Sequence, residues 1–371
     1  RNKSLGGETL FWAQQGISTL INPPFAISLL FFLSGLILFQ KILNQKQYKW
    51  VFILPLILMW GILIEFKAYA GVLVLGSLVI VTVYELTKRN LSILKLSLPI
   101  VVLSLLVFLP NNSGSSALLV FSPFWLIHSM VDFPDRLNWM RLSLTRMSGF
   151  ETSNWIKIIG AEGVGILIFI LGNLGTRFFG IFEIKKILPI NSFKLFILSF
   201  LIISLLSSLL FIQKGANFNT IQFFYYFLLI FNFFAAYTLS KIWTKWKKVG
   251  AVLVVTIVFL TIPTTWDTLQ NYLPSRPPAM VSVKEVEALQ FLKKQPDGVV
   301  LSFNFDAQLR DRFVEPKPLF AYESTAYVSA FSGKPEFISD SVNLEILGID
   351  YKGRSQTQKD ILSAREPEVF K

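Results

Sequence analysis

Apolar residues gather in eight runs along the first 266 positions, separated by polar stretches. The runs are Pro24–Gln40, Trp50–Ile64, Ala68–Tyr84, Leu96–Leu109, Gly163–Gly180, Phe193–Ile212, Ile221–Leu239 and Gly250–Trp266. Several are shorter than the ~20 residues an upright span needs, but snorkelling lysines or local thinning can serve a short span. Strong helix formers fill the runs, and the period-2 alternation of a membrane β-barrel is absent. The pattern predicts about eight transmembrane helices over residues 1–266, with a long outer loop at 110–157.

After Trp266 the pattern changes. Pro274, Pro277 and Pro278 predict a stiff linker over 267–281. Ser282-Val283-Lys284-Glu285 is a capping box, and Val286, Leu289 and Leu292 line one face of the helix it opens. Pro296-Asp297-Gly298 reads as a turn, and Val299–Phe303 as a buried strand. Short strands are expected at Leu319–Tyr322, Tyr327–Phe331 and Glu336–Ile338, and helices at Val342–Leu347 and Gln356–Arg365. Residues 282–371 are therefore expected to form a small α/β domain, cut short at the end. The fold class is an all-α polytopic membrane protein carrying that domain.

Composition agrees. Of 371 residues 53% are hydrophobic and only 16% charged, where soluble domains carry about 25% charged residues. Mean hydropathy is +0.56. The absence of Cys excludes a disulfide scaffold and thiolate metal sites, and a single His disfavours a His-based zinc site. The chain opens on Arg1, so it is expected to be a piece of a longer protein.

The net charge of +12 comes from the apolar part: residues 1–264 balance to +14 and residues 265–371 to −2. Four loops (41–49, 85–95, 177–194 and 240–249) hold 14 Lys/Arg over about 48 residues. The alternate segments (1–23, 65–67, 110–157 and 213–220) hold 8 over about 82. This alternation obeys the positive-inside rule, placing the first set in the cytoplasm and the C-terminal domain outside. The basic excess is thus assigned to topology, including Lys245, Lys247 and Lys248, and no nucleic-acid partner is expected.

No Walker A, G-x-S-x-G or H-E-x-x-H motif occurs, and Gly160-Ala-Glu-Gly-Val-Gly165 has the wrong spacing for a dinucleotide loop; small-residue helix packing is the expected use. Candidate chemistry gathers on the outer side. In Ser122–Arg136, His128 and Asp132 share a helical face, and Asp135-Arg136 follows Pro134. These groups can handle a proton and grip a phosphate, with Arg136 as the grip. The stretch suits a helix lying in the interface with Trp125 and Trp139 at headgroup depth, and the alternative to a functional role is an Asp that caps the next helix and a local Asp–Arg pair. Lys67, in Glu65-Phe66-Lys67, sits between two apolar runs: it faces a cavity or snorkels from a tight hairpin. Lys214, Asn219, Gln222, Tyr225 and Tyr226 open the seventh run. The lysine can hold a lipid phosphate, the amides sugar hydroxyls, and a tyrosine can stack on a sugar; a capped helix start with an aromatic belt is the plainer use. Glu8, Gln14, Gln15 and Asn22 add polar groups on the same side, and an ordinary solvated loop explains them better than a site does.

Taken together, this arrangement resembles the GT-C superfamily of integral-membrane glycosyltransferases. Ile21–Ala26, Phe66–Gly71, Ser122–Arg136 and Asn219–Tyr226 are similar to bacterial membrane proteins placed near that group. The resemblance implies a bacterial plasma-membrane enzyme among membrane lipids, with a polyprenyl-phosphate-linked sugar as donor and an acceptor outside the cytoplasm. It also implies a catalytic carboxylate in a first outer loop, expected ahead of this chain; His128, Asp132 and Asp135 remain for secondary roles. Some members use a divalent metal, and no metal-ligand pattern is found in this sequence. A transporter or flippase, a polysaccharide polymerase or ligase, and a non-enzymatic scaffold are the competing readings.

Overall fold

The structure, a computed structural model, describes residues 10–13, 15–44, 49–112, 119–214, 216–273, 277–303 and 305–363. Glu8, Gln14, Pro274 and the end of the helix expected to reach Arg365 lie outside these residues. Of the described residues 75% are helical, and the chain divides into two compact units. The first gathers Arg1–Ser113, Phe121–Ile212 and Phe218–Tyr272; the second gathers Gly114–Val120, Gln213–Asn217 and Leu273–Lys371.

In the first unit α1 (Gln15–Ile21) leads through Asn22 into α2 (Pro23–Asn44). Prolines suit the first turn of α2, where no backbone N–H is needed. There follow α3 (Trp50–Phe66), α4 (Ala68–Thr87), α5 (Ser92–Asn112), α6 (Trp125–Asp132), α7 (Met140–Glu151), α8 (Trp155–Leu174), α9 (Ile181–Ile184), α10 (Ser192–Leu210), α11 (Ile221–Phe259) and α12 (Ile262–Tyr272). Six helical stretches among the described residues are long and apolar enough to cross a membrane: Pro23–Asn44, Ala68–Thr87, Ser92–Asn111, Trp155–Ile184, Ser192–Leu210 and Asn217–Gln270. At 17 residues Trp50–Phe66 is shorter. This is the make-up of an all-α polytopic membrane protein, whose backbone groups are satisfied within each helix.

The last two expected runs fall within one 54-residue stretch. Inside α11, however, Lys247 leaves helical geometry (φ 47°, ψ −117°). A Cβ placed on Gly250 would lie 2.2 Å from the Ile242 carbonyl oxygen. Residues eight apart in a straight helix stand ~12 Å apart along the axis, so the chain doubles back at Lys247 and only glycine fits at 250. The limb after the fold-back is apolar and exposed at Val252, Val255, Val258 and Phe259. The linker expected from residue 267 instead begins inside α12.

The core of this unit is aromatic. Trp60 stacks on Phe196 with ring centres 5.1 Å apart, and Phe32 on Phe200 at 4.5 Å; all four are fully buried. Such van der Waals packing is the main cohesion between helices in lipid. Hydroxyl groups lock neighbouring helices: the Ser104 hydroxyl donates to the Gly61 carbonyl (2.9 Å), and Thr82 bonds Ser97 (2.9 Å).

Three of the four Lys/Arg-rich loops are tied together at one end, beside the end of α2. Ser192 and Asn90 donate to Glu85 (both 2.6 Å), Lys241 pairs with Glu183 (2.7 Å), and Phe39, near the end of α2, packs on Phe193 of α10. At the other end Asn111 donates to Glu65 (2.9 Å) and Asn22 to Gln222 (3.4 Å). The helix α6 buries Leu126, Ile127, Met130 and Val131 against the protein. The exposed apolar stripe lies on α7, at Met140, Leu144, Met147 and Phe150. A Cβ on Gly160 or Gly163 would meet nothing within 4 Å among the described residues, whereas one on Gly165 would lie 2.9 Å from Ile127, so of the glycines expected to pack helices Gly165 does so.

The second unit contains α13 (Val283–Lys293), α14 (Ala307–Arg310), α15 (Tyr327–Ser332), α16 (Ser341–Ile346) and α17 (Lys352–Ser363). The Ser282 hydroxyl caps α13 through the Glu285 N–H (3.2 Å), as its sequence predicts. Most of the expected strands are corrected. Ala279–Met280 pairs in parallel with Lys317–Pro318, and Val300 bridges Glu336, but Leu319–Ala321 is a 3-10 turn and Tyr327–Ser332 an α-helix. Short apolar runs do not distinguish strand from helix by periodicity. Gly333, at φ 67°, closes α15 with its N–H on the Ser329 carbonyl. A small core of Leu289, Ala321, Val328 and Ile338 remains.

Candidate functional site

Lys67 is placed by a tight turn. The helices α3 and α4 meet at this one extended residue, and a Cβ on Gly71 would stand 2.4 Å from Ile64. The ammonium group lies over the Tyr69 ring, 5.4 Å from its centre, and Tyr69 packs edge-to-face on Phe223 of α11 at 4.8 Å. Lys67 is half-buried, and burial alone lowers its pKa to about 8. No carboxylate among the described residues contributes to that value.

Arg136 lies within electrostatic reach of Tyr225, on that turn of α11. Its guanidinium lies over Trp12, 3.8 Å from the ring centre, and 3.6 Å from Asp135. Trp12 is sandwiched further by Phe218, stacked at 6.2 Å, and Trp125. Burial lowers the Arg136 pKa from the ordinary arginine value, against the opposing influence of Asp135, Tyr272 and Tyr225. Arginine remains charged throughout. Gln222, on the same turn as Phe223 and Tyr225, accepts the bond from Asn22. Asn219 is half-buried in the 3-10 turn Asn217–Thr220 that leads into α11.

Other candidates do not join this group. His128 and Asp132 share a helix face but part company. The imidazole Nε2 bonds Glu162 (2.8 Å), and Asp132 accepts from Arg146 (2.6 Å). Asp132 therefore takes the local-pair role rather than that of an open carboxylate; Asp135, its side chain 71% exposed, is the open one. Tyr225 is buried and packed at 69° to Phe25, which corrects its expected use as a sugar-stacking platform. Lys214 is exposed and falls with the second unit.

Sequence reading missed the polar knot around Arg177, which it placed in a loop. The helix from Trp155 ends at Leu174, and after a break at Gly175 (φ 49°) a 3-10 turn over Gly175–Gly180 leads on to Ile184. Arg177 donates to Asn232 (2.9 Å) and Gln15 (2.9 Å). Asn232 lies eleven residues into α11, ~16 Å from its start, so this is a mid-helix cation. One turn earlier, Asn173 clasps the chain before α1: it donates to the Phe11 carbonyl (2.8 Å) and accepts from the Ala13 N–H (3.1 Å). The available signal was Asn173-x-x-x-Arg177, two polar residues one turn apart beside an apolar run.

Among the described residues no group of three or more His, Asp or Glu is arranged to hold a metal ion. No family model matches the chain, and neither a curated protein nor a solved structure matches it.

Proposed function

We propose that this chain belongs to a membrane glycosyltransferase that moves a sugar from a polyprenyl-phosphate carrier to an extracytoplasmic acceptor, in a bacterial plasma membrane with the second unit outside. The observation that carries this reading is Lys67: a half-buried cation, its pKa lowered by burial alone, held at the turn between two apolar helices. A desolvated cation gains most when an anion replaces the lost water. Arg136, pre-oriented on Trp12, supplies a second grip suited to phosphate oxygens.

In this reading the bond from the sugar's anomeric carbon to the carrier phosphate breaks. Lys67 and Arg136 stabilise the negative charge left on that phosphate. The acceptor hydroxyl attacks the anomeric carbon and its proton goes to a base of the enzyme, for which Asp135, exposed and 3.6 Å from Arg136, is a secondary candidate. Reconstituted with a short polyprenyl-phosphate sugar, Lys67→Met and Arg136→Met are each expected to reduce transfer at least tenfold, the loss of one charge-assisted contact. Unchanged turnover in both variants removes the assignment.

A second reading has its own support. The helical break at Gly175 and the mid-helix Arg177–Asn232 bond are features of transporters and flippases. Lipid movement across proteoliposomes without sugar transfer would favour it over the transferase.

A further inference from the structure

The second unit holds a cleft of about 650 Å³ that the transferase reading does not use. Its walls carry Phe303, Phe305, Phe320, Tyr322, Tyr327 and Tyr351. Five carboxylates stand among these rings: Glu285, Asp306, Glu323, Glu336 and Asp340. The lining cations are Arg310 and Lys359. Arg310 already pairs with Asp311 (2.9 Å), which lies outside the lining.

Neutral donors fix the carboxylates without cancelling their charge. Glu285 accepts from the Tyr327 hydroxyl (2.7 Å). Glu336 accepts from Ser302 (2.7 Å) and from the N–H and hydroxyl of Ser329 (3.2 and 3.1 Å). Glu323 accepts from Ser341 (3.1 Å). Asp306 caps α14 and Asp340 caps α16. The surplus negative field is felt by the cleft's own phenols: after burial, Glu285 and Glu336 raise the pKa of Tyr327, and Glu345 and Glu323 that of Tyr351. Behind the wall the fully buried Gln358 donates to the Ser302 carbonyl (2.6 Å), while its own Oε1 has no partner among the described residues. The cleft is thus rich in acceptors, poor in cations and lined with aromatic faces. That chemistry repels phosphates and free carboxylates and attracts an ammonium or guanidinium group, by charge and by cation–π contact.

We propose that this cleft is a binding site for an organic cation: an ammonium or guanidinium group on an apolar stem, presented by a short basic peptide segment. The volume is that of an ordinary small-ligand pocket and admits such a side chain with its neighbours.

The test uses the full chain in nanodiscs of neutral lipid. The probes are three capped tripeptides, Phe-Lys-Phe, Phe-Gln-Phe and Phe-Glu-Phe, and a neutral disaccharide. The lysine peptide is expected to bind about tenfold tighter than the glutamine peptide, to weaken with salt, and to exceed the glutamate peptide further. Glu323→Gln should weaken the lysine peptide about threefold, and Lys359→Gln should tighten it by a similar factor. Both positions are exposed, and a gain of affinity cannot arise from misfolding. Equal binding of the lysine and glutamine peptides, preference for the disaccharide, or indifference to both variants overturns the proposal. None of these readouts depends on sugar transfer, so the transferase reading stands or falls separately.

Discussion

Lys67 and Arg146 show how burial sets a residue's task. The Lys67 pKa, lowered from 10.5 to about 8, means that the folded protein binds this proton less readily than the unfolded chain. The resulting penalty is fully present below about pH 8 and disappears as pH rises toward 10.5, so the site gains stability as it loses its proton. Anion capture runs the other way. Binding of a short-chain polyprenyl phosphate is expected to fall as pH rises through about 8 in the native chain. With Lys67→Arg it should stay flat to pH 10, because guanidinium does not deprotonate there. An identical pH profile for both proteins would separate Lys67 from the phosphate. Arg146 is different: it is mostly buried and its partner Asp132 is one-third exposed, at 2.6 Å. Arg146→Ala should cost about 1–3 kcal/mol in thermal or denaturant unfolding, less than a fully buried pair would lose.

Among the elements, the clasp around α1 depends on a single side chain. Asn173 is 5% exposed and makes three bonds, two of them to Phe11 and Ala13. Removing it leaves a backbone donor and acceptor unpaired, at about 1–3 kcal/mol. Asn173→Ala is therefore expected to loosen Trp12 from Arg136. The change should register as altered tryptophan fluorescence and faster proteolysis ahead of α2, with the helical signal retained. The helices and much of this arrangement were legible in the chain. Most of each expected apolar run is helical, because lipid leaves the backbone no other way to satisfy its polar groups, although among the described residues six rather than eight stretches are long and apolar enough to cross a membrane. Arg177 was not legible: a cation near a run's end scores as loop in one dimension, and only Asn232 and Gln15, 55 and 162 positions away, make it interior.

At the scale of the whole molecule, cohesion is uneven. Phe32, Trp60, Phe196 and Phe200 form one stacked aromatic centre, whereas the limb after Lys247 is exposed along most of its length. Phe200→Ala should cost about 3–5 kcal/mol through the cavity it opens. Val255→Ala, 59% exposed, should stay within about 0.5 kcal/mol. Unfolding in detergent with graded denaturant compares the two, and equal losses would mean that the exposed limb is packed as tightly as the centre.

What the sequence by itself determined is one-dimensional: which segments are apolar, which loops are basic, and where Ser282 caps a helix. These follow from local hydropathy and spacing, which need no partner. The tertiary structure decided which polar residues keep company. His128 left Asp132 for Glu162, Arg136 settled on Trp12, and Asp132 was taken by Arg146. It also decided that a run of apolar residues before Gly333 coils rather than extends. In each case the outcome is set by contacts between residues distant in the chain, or by one cap, and no periodicity encodes them.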